Sequence, residues 1–271
     1  MSETSSMTSV PAIAYGIDIG VYRHTQAGTV RGVSQSTFAW ARAESDVAMS
    51  YDSGRFEFKN SFQVGRNFAD LADLIQNDVL QNKRIAIGIE APMWQPSPDE
   101  IPQGEFSLFE PRFACERGCE WYLQSGASAT VKAISIGKLL LSLANLGEKT
   151  TFSTYVSQSS DIVLFEGFVV GDWKLPGAEE FSEGAHAWDA LTTAAAFHYS
   201  QGSEKQAGLA VIHDWGSIKE PVVSHWKTIV QEAGLSGIHC DKDCAVVGFN
   251  SKDEDVLQKF SDQTYHTVEG N

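Results

Sequence analysis

Three short stretches of the chain are apolar without interruption, and each carries a carboxylate at or near its end. These stretches are residues 12–20 with Asp18, residues 85–90 with Glu90, and residues 162–166 with Glu166. A half-buried strand alternates apolar with polar residues, whereas a short uninterrupted run is typical of a strand that is covered on both faces. The pattern therefore predicts three buried strands that each deliver an acid to their end.

Helical periodicity occupies the segments between these strands. Apolar residues recur at a spacing of about 3.6 in residues 61–81, which predicts an amphipathic helix. A strongly apolar helix is predicted at 131–146 and another at 185–199, for which Ser182 is a candidate N-cap. Because a strand, a helix and a second strand make a crossover, we expect the strands that end on Asp18 and Glu90 to be parallel neighbours.

The rest of the chain completes an α/β pattern. Residues 21–42 alternate loosely and predict one or two antiparallel strands beside the first, and residues 56–58 predict a further strand. The C-terminal part predicts strands at 209–212 and 245–249 and helices at 220–233 and 253–260. We therefore expect a disordered tail at 1–11, a main domain at 12–200, and an α/β extension of it or a small subdomain at 201–271.

The segment 91–111 holds five of the eight prolines in the chain, together with Trp94, Phe106 and Phe109. So many prolines exclude a helix or a central strand, and they predict a long loop that leaves the strand end at Glu90. We expect this loop to border the acids and to offer Trp94 or Phe106 as a surface on which a base could stack. An apolar loop that only packs on the body of the protein is the alternative.

Composition narrows the partners. The 271 residues carry a net charge of −15, which argues against broad electrostatic binding to nucleic acid or to an anionic membrane. A phosphate-bearing substrate would have to be captured locally. No run of about eighteen apolar residues predicts a membrane span, and the polar N-terminus does not match a secretory signal, so we expect a cytoplasmic protein. The sequence leaves the oligomeric state open.

The four cysteines form two pairs, each with three residues between its members: Cys115 and Cys119, Cys240 and Cys244. A zinc site built from both pairs is conceivable. Structural zinc sites, however, favour tighter, glycine-rich turns around each pair, and intracellular proteins seldom hold disulfides. We therefore expect reduced cysteines rather than a zinc site.

The residues with the most evident chemistry are acids at strand ends and on one helix face. Asp189 lies on the predicted helix at 185–199, with His186 one turn before it. Carboxylates that gather with Asp18, Glu90 and Glu166 would repel one another unless divalent cations lay between them. Mg²⁺ or Mn²⁺ ions held in this way, with a pair about 4 Å apart, can activate water for phosphodiester cleavage.

At these positions the sequence resembles the ribonuclease H-like superfamily, and within it a little-characterised family of predicted ribonuclease H-like nucleases. The resemblance lies in the stretch GIDIG around Asp18, in Glu90-Ala91-Pro92, in Phe165-Glu166-Gly167, and in the order His, two residues, Asp-Ala-Leu that begins at His186. It implies a mixed central sheet with helices on both faces. It also implies Asp18, Glu90 and Asp189 as ligands of Mg²⁺ or Mn²⁺, with Glu166 or His186 assisting catalysis.

Three functions compete on this evidence. The first is a metal-dependent nuclease or other phosphoryl-transfer hydrolase that acts on nucleic acid or on a nucleotide-like molecule. The second is an ATP-binding protein of the actin and sugar-kinase superfamily, whose first strand also resembles GIDIG, but the chain lacks the later Asp-x-Gly-Gly phosphate loop. The third is a noncatalytic binding or scaffold module in which the acids serve only the structure.

Overall fold

A central sheet of mixed but mostly parallel strands, flanked by helices, organises the part of the chain that the computed structural model describes: residues 10–20, 37–96, 125–154, 160–201, 222–239, 245–250 and 265–266. The strands are β1 Ile13–Asp18, β2 Ala39–Glu44, β3 Ala48–Asp52, β4 Arg55–Lys59, β5 Phe62–Gly65, β6 Ile85–Ile89, β7 Trp94–Pro96, β8 Thr151–Ser153, β9 Ile162–Gly167, β10 Val222–Ser224, β11 Gly237–His239, β12 Ala245–Val247 and β13 Tyr265–His266. The helices are α1 Phe68–Leu80, α2 Ser125–Leu143, α3 Ala185–Ser200 and α4 His225–Glu232. The α/β class is as predicted.

The strand order of the central sheet is β11-β8-β9-β6-β1-β2-β5. Strand β1 pairs antiparallel with β2 on one side and parallel with β6 on the other, and β6 pairs parallel with β9. The prediction that the strands of Asp18 and Glu90 are parallel neighbours is confirmed. Strand β12 also pairs with β9, beyond the end of β8, so that residues from the C-terminal part of the chain complete the sheet. Two smaller sheets pair β7 with β10, and β3 with β4 and β13.

The two faces of the central sheet pack against different helices. Successive residues of a strand point to opposite faces, so each strand divides its side chains between the two layers. Ala14, Ala86 and Phe165 lie in a core cluster with α3. The apolar residues next to them, Ile13, Ile85, Ile87 and Leu164, lie in a second cluster with α1, α2 and α4. Even-numbered residues of β1 and β6 therefore face α3, and this parity decides where their terminal acids point.

Helix α3 approaches the sheet closely because both surfaces are made of small residues. A Cβ atom added to Gly16 of β1 would lie 2.0 Å from the carbonyl oxygen of Ala190 and 2.8 Å from the amide nitrogen of Ala194. Both are backbone atoms, which cannot yield as a flexible side chain can. The absence of a side chain at Gly16 thus sets the depth at which α3 lies on the sheet.

We expect Gly16→Ala to destabilise the fold by about 1 to 3 kcal/mol or more, because the added methyl forces α3 away from β1. Urea denaturation measures the change. Gly147→Ala is the matched control, since no atom lies within 4 Å of the Cβ that it would add. A Gly16→Ala protein as stable as its Gly147→Ala counterpart would contradict this account of the α3 contact.

Several predicted boundaries were wrong. The helix predicted at 61–81 begins only at Phe68, with Asn67 as its N-cap, because Phe62 to Gly65 form β5 and pair with β2. The apolar helix predicted from residue 131 begins at Ser125. Helix α3 begins after Gly184, whose position shows that Ser182 is not the N-cap. The helix predicted from residue 220 is preceded by β10 and ends at Glu232.

Other predictions fall on parts of the chain outside the described residues. They concern the tail up to residue 9, most of the proline-rich loop with Phe106 and Phe109, the four cysteines Cys115, Cys119, Cys240 and Cys244, and the elements predicted at 209–212 and 253–260. These remain predictions, as does the boundary placed near residue 201.

Helix α2 is the one helix in the described part of the chain that is long and apolar enough to pass for a membrane span. Its residues Ala133, Ile136 and Leu140 belong to the core cluster on the face of the sheet opposite α3. Within residues 126–143 of this helix 39% of the stretch is buried, and the described part of the chain has a mixed α/β fold.

A buried polar cluster joins α1 to the sheet. The carboxylate of Asp78, 5% exposed on α1, accepts hydrogen bonds from the hydroxyl of Tyr15 at 2.6 Å, from Nε of Arg42 at 2.9 Å and from Nζ of Lys83 at 2.9 Å. Burial alone would raise the pKa of Asp78, but these donors hold it below its ordinary value. The cluster ties the helix to β1 and β2 on the face of the sheet opposite α3.

Candidate metal centre

Three carboxylates converge at the carboxyl end of β1. Asp18 ends β1, Glu90 directly follows β6, and Asp189 lies in the second turn of α3. One oxygen from each of the three lies within 4.8 Å of the others. Asp18 and Asp189 are 7% and 4% exposed, so this is a buried group of acids and not a solvated surface patch.

The convergence follows from register and parity. Ile17 of β1 lies opposite Ile89 of β6, and the amide of Glu90 donates to the carbonyl of Ile17 at 2.8 Å, which extends the ladder by one residue. Asp18 and Glu90 are therefore register partners whose side chains point to the same face. That face is the one covered by α3, and the close contact at Gly16 brings Asp189 down to meet them.

Asp18 and Asp189 each have a basic neighbour. Nδ1 of His186 lies 2.6 Å from Oδ2 of Asp18, whose Oδ1 accepts a hydrogen bond from the amide of Gly20 at 2.9 Å. Nζ of Lys174 lies 2.5 Å from Oδ2 of Asp189. The basic side chains are 40% and 44% exposed, so they lie on the open side of the centre.

Two oxygens of the cluster lack a partner. Oε2 of Glu90 and Oδ1 of Asp189 are buried and make no hydrogen bond within the described structure. A buried acceptor that stays unsatisfied costs about 1 to 3 kcal/mol, and more when it carries charge. These two oxygens are therefore the ones that a bound cation would relieve most.

The burial of these carboxylates and their closeness to one another shift the pKa values of the groups in the centre. Burial, followed by the charges of Asp18 and Asp189, raises the pKa of Glu90 well above its ordinary value. Burial also raises the pKa of Asp189, although Lys174 opposes the shift. The hydrogen bond to Asp18 raises the pKa of His186, which favours the imidazolium form. Without a cation, the centre holds more negative charge than its surroundings stabilise.

Glu166 was predicted to join these acids, and the structure places it on the other face of the sheet. It lies opposite Ile89 in the register of β9 and β6, so it points away from α3. Its side chain is fully buried, and Oε2 accepts a hydrogen bond from the amide of Met93 at 2.8 Å. The structure thus connects Glu166 with the segment that follows Glu90 and not with the carboxylate cluster.

Of the two residues predicted to offer a stacking surface, Phe106 lies outside the described residues and stays a prediction, whereas Trp94 does not offer one. Its side chain is 2% exposed and belongs to the core cluster under α2, so it offers no free face to a base. Strand β7 begins at this residue and pairs with β10, and the carbonyl of Met93 accepts a hydrogen bond from the amide of His225 at 2.9 Å. The first residues of the proline-rich segment are thereby fixed to the body of the protein.

Lys174 is the functional candidate that sequence reasoning missed. It follows a short 3₁₀ turn, Gly171–Trp173, and its position depends on how that turn packs. One signal was present: Lys174 is the only lysine or arginine between Lys149 and Lys205. A single cation in a long stretch rich in acids is a candidate partner for one of them.

No known family model matches the chain, and no similar curated protein and no similar solved structure was found.

Proposed function

We propose that the protein is a metal-dependent phosphodiester hydrolase whose carboxylates Asp18, Glu90 and Asp189 hold Mg²⁺ or Mn²⁺. The observation that carries the proposal is the convergence of three oxygens within 4.8 Å, two of the three residues having a buried oxygen without a partner. Structural acids are normally paired with donors or cations, whereas these are left partly unsatisfied at the edge of a sheet.

The donor set fits a hard divalent cation. Carboxylate oxygens suit Mg²⁺ and Mn²⁺, whereas structural zinc sites rely on sulfur and imidazole nitrogen. Opposite oxygens around an octahedral Mg²⁺ ion lie about 4.2 Å apart and neighbouring ones about 3 Å apart, so three carboxylate oxygens within 4.8 Å of one another would have to move closer together to share one ion. Such an ion can activate water and stabilise the leaving oxygen of a phosphodiester.

We further propose that the fold is of the ribonuclease H-like type. Support comes from the placement of β1 inside a mixed sheet. On one side β2 is antiparallel to β1 and β5 is antiparallel to β2, and on the other side β6 and β9 run parallel to β1. Helices lie on both faces, and the acids occupy the end of the first strand, the end of a neighbouring parallel strand and a late helix. The resemblance noted at these same residues implies this arrangement.

The neighbouring residues have assignable roles. His186 is a positioning residue for Asp18, since its contact with Oδ2 fixes the carboxylate while the amide of Gly20 fixes Oδ1. Glu166 holds Met93 and so steadies the backbone that follows Glu90. The protein carries a net charge of −15, so a phosphate-bearing substrate must be bound by groups close to the centre. We propose that this substrate is a nucleic acid or a nucleotide-like phosphodiester in the cytoplasm.

Metal-dependent stabilisation tests the proposal. A ligand at 100 times its dissociation constant stabilises the native state by about 2.7 kcal/mol, so millimolar Mn²⁺ should raise the melting temperature of the parent by several degrees. Asp18→Asn should abolish most of that rise. Asp73→Asn, which changes an exposed acid on α1, is the control that keeps it.

Cleavage of labelled DNA, RNA and small phosphodiesters completes the test. If the parent shows no Mn²⁺-dependent shift and cuts none of these substrates, the noncatalytic module replaces the hydrolase. A shift that persists in Asp18→Asn would place the ion elsewhere on the protein.

A further inference from the structure

Hydrogen bonds hold the backbone on both sides of Lys174 in place. The amide of Lys174 donates to the carbonyl of Gly171 at 3.2 Å, which closes the 3₁₀ turn in front of it. Directly after it, the carbonyl of Leu175 accepts a hydrogen bond from Nε1 of Trp188 at 3.0 Å. Leu175 and Trp188 are both buried, so the backbone on either side of Lys174 is held in place.

The same helix supplies both contacts to this segment. Trp188 holds the backbone at Leu175, and the next residue of α3, Asp189, receives the ammonium of Lys174. The ion pair of an exposed lysine usually contributes little, because its long side chain loses conformational freedom and water screens its charge. Here the lysine is fixed from two directions so that its charge lies beside one carboxylate of the cluster.

The charges in the centre limit how many divalent cations it can bind. Three carboxylates and the ammonium of Lys174 leave two negative charges, and the imidazolium of His186 beside Asp18 leaves one, so a single divalent cation is enough to neutralise the centre. Because Oδ2 of Asp189 is engaged with Lys174, Oδ1 of Asp189 and Oε2 of Glu90 are the oxygens left buried without a partner. A second divalent cation would have to enter beside the ammonium, against its repulsion in a site that screens charge poorly.

We propose that Lys174 supplies a fixed positive charge at the Asp189 side of the metal centre, so that Asp18, Glu90 and Asp189 bind one divalent cation and not two. The inference rests on the proposed function and specifies the cation requirement of the same site. Lys174 is then a fixed part of the centre that contributes charge at the Asp189 side in every turnover.

Titration with Mn²⁺ tests the proposal through stoichiometry and affinity. Isothermal calorimetry of the parent should give one ion per chain, and electron paramagnetic resonance of free Mn²⁺ should give the same count. Lys174→Met removes the competing charge and should tighten Mn²⁺ binding by about tenfold. Lys174→Arg keeps the charge and should keep an affinity close to that of the parent.

Lys138→Met is the matched control, because it removes the same charge from an exposed pair with Glu232 on the opposite face of the sheet. It should leave both the stoichiometry and the affinity unchanged. Cleavage assays distinguish a lysine charge that is needed for catalysis from one that only competes with the metal ion. Lys174→Met should lose activity although it binds Mn²⁺ more tightly.

Two ions bound per parent chain would overturn the inference while leaving the hydrolase intact. So would an unchanged Mn²⁺ affinity in Lys174→Met, or faster cleavage by that variant. Failure of the parent to bind any Mn²⁺ would instead remove the proposed function itself, so the two failures are distinguishable.

Discussion

Asp189→Asn should lower the rate of phosphodiester cleavage by more than about a hundredfold while leaving the protein folded. The substitution is isosteric and removes the charge that holds the cation, and loss of one electrostatic contribution of this kind costs several kcal/mol of transition-state stabilisation. Asp189 is well suited to the test because the apolar residues beside it on α3, Trp188, Ala190 and Leu191, belong to the core cluster and hold the helix on the sheet independently of the charge of Asp189. Asparagine still offers one oxygen, so slow cleavage at high Mn²⁺ is compatible with the role.

The measurement compares purified parent and variant for cleavage and for far-ultraviolet circular dichroism. Asp172→Asn is the matched control, since Asp172 is an exposed acid two residues before Lys174 and lies outside the carboxylate cluster. It should cut at the parent rate. Parent-like cleavage by folded Asp189→Asn would remove Asp189 from the catalytic machinery.

Asp78→Ala should destabilise the protein by about 3 to 5 kcal/mol, the largest stability effect we expect for a single substitution. Removing one partner of a buried ion pair leaves the other charge without compensation, which is the costly case. In this variant Arg42, which is mostly buried, keeps only its pair with the more exposed Glu44, and the hydroxyl of Tyr15 loses its acceptor. Urea denaturation gives the free energy of unfolding, and Asp73→Ala on the exposed side of α1 serves as the control.

The deficit of Asp78→Ala should depend on pH. Donors from Arg42, Tyr15 and Lys83 keep the folded-state pKa of Asp78 below the unfolded value of about 4. The stabilisation from Asp78 is therefore fully present above the unfolded pKa and is lost as pH falls through the folded one. Parent and variant should converge in stability at low pH. A gap that is constant from neutral pH down to strongly acidic pH would contradict the role of the ionised carboxylate.

The sequence was most informative where chemistry and burial coincide. The uninterrupted apolar runs predicted β1, β6 and β9, and the helix between the first two predicted their parallel pairing. Once the strands are parallel neighbours, Asp18 and Glu90 must end at the same edge of the sheet. The face of the sheet to which both side chains point could not be predicted. An uninterrupted apolar run has no alternation of polar and apolar residues that would distinguish the two faces of the strand.

Glu166 shows the limit of this reasoning. It ends an apolar run just as Glu90 does, yet register sets it opposite Ile89, so it points to the other face. A shift of one residue reverses the direction of a side chain, and only the pairing of β9 with β6 determines that shift. Lys174 could not be identified from the sequence for a related reason. Its position beside Asp189 depends on a contact between distant residues, in which Trp188 holds the backbone at Leu175.

Strand β5 was missed because its residues satisfy two periodicities. Phe62 and Val64 alternate with Gln63 and Gly65 as a strand requires, but Val64 also lies four residues before Phe68 and so fits the helix that follows. Pairing with β2 decides the outcome. A contact between distant segments overrides a local pattern that is equally compatible with helix.

The pairing of β12 with β9 has a consequence for the order in which the protein can be made. As the chain leaves the ribosome, β9 emerges long before residues 245–247, and until they arrive the part of its edge at Phe165 to Gly167 has unpaired hydrogen-bonding groups. Exposed edges of this kind invite pairing with other chains. Synthesis of residues 245–247 thus completes the edge of β9, and a nascent chain held before this point exposes that edge to aggregation.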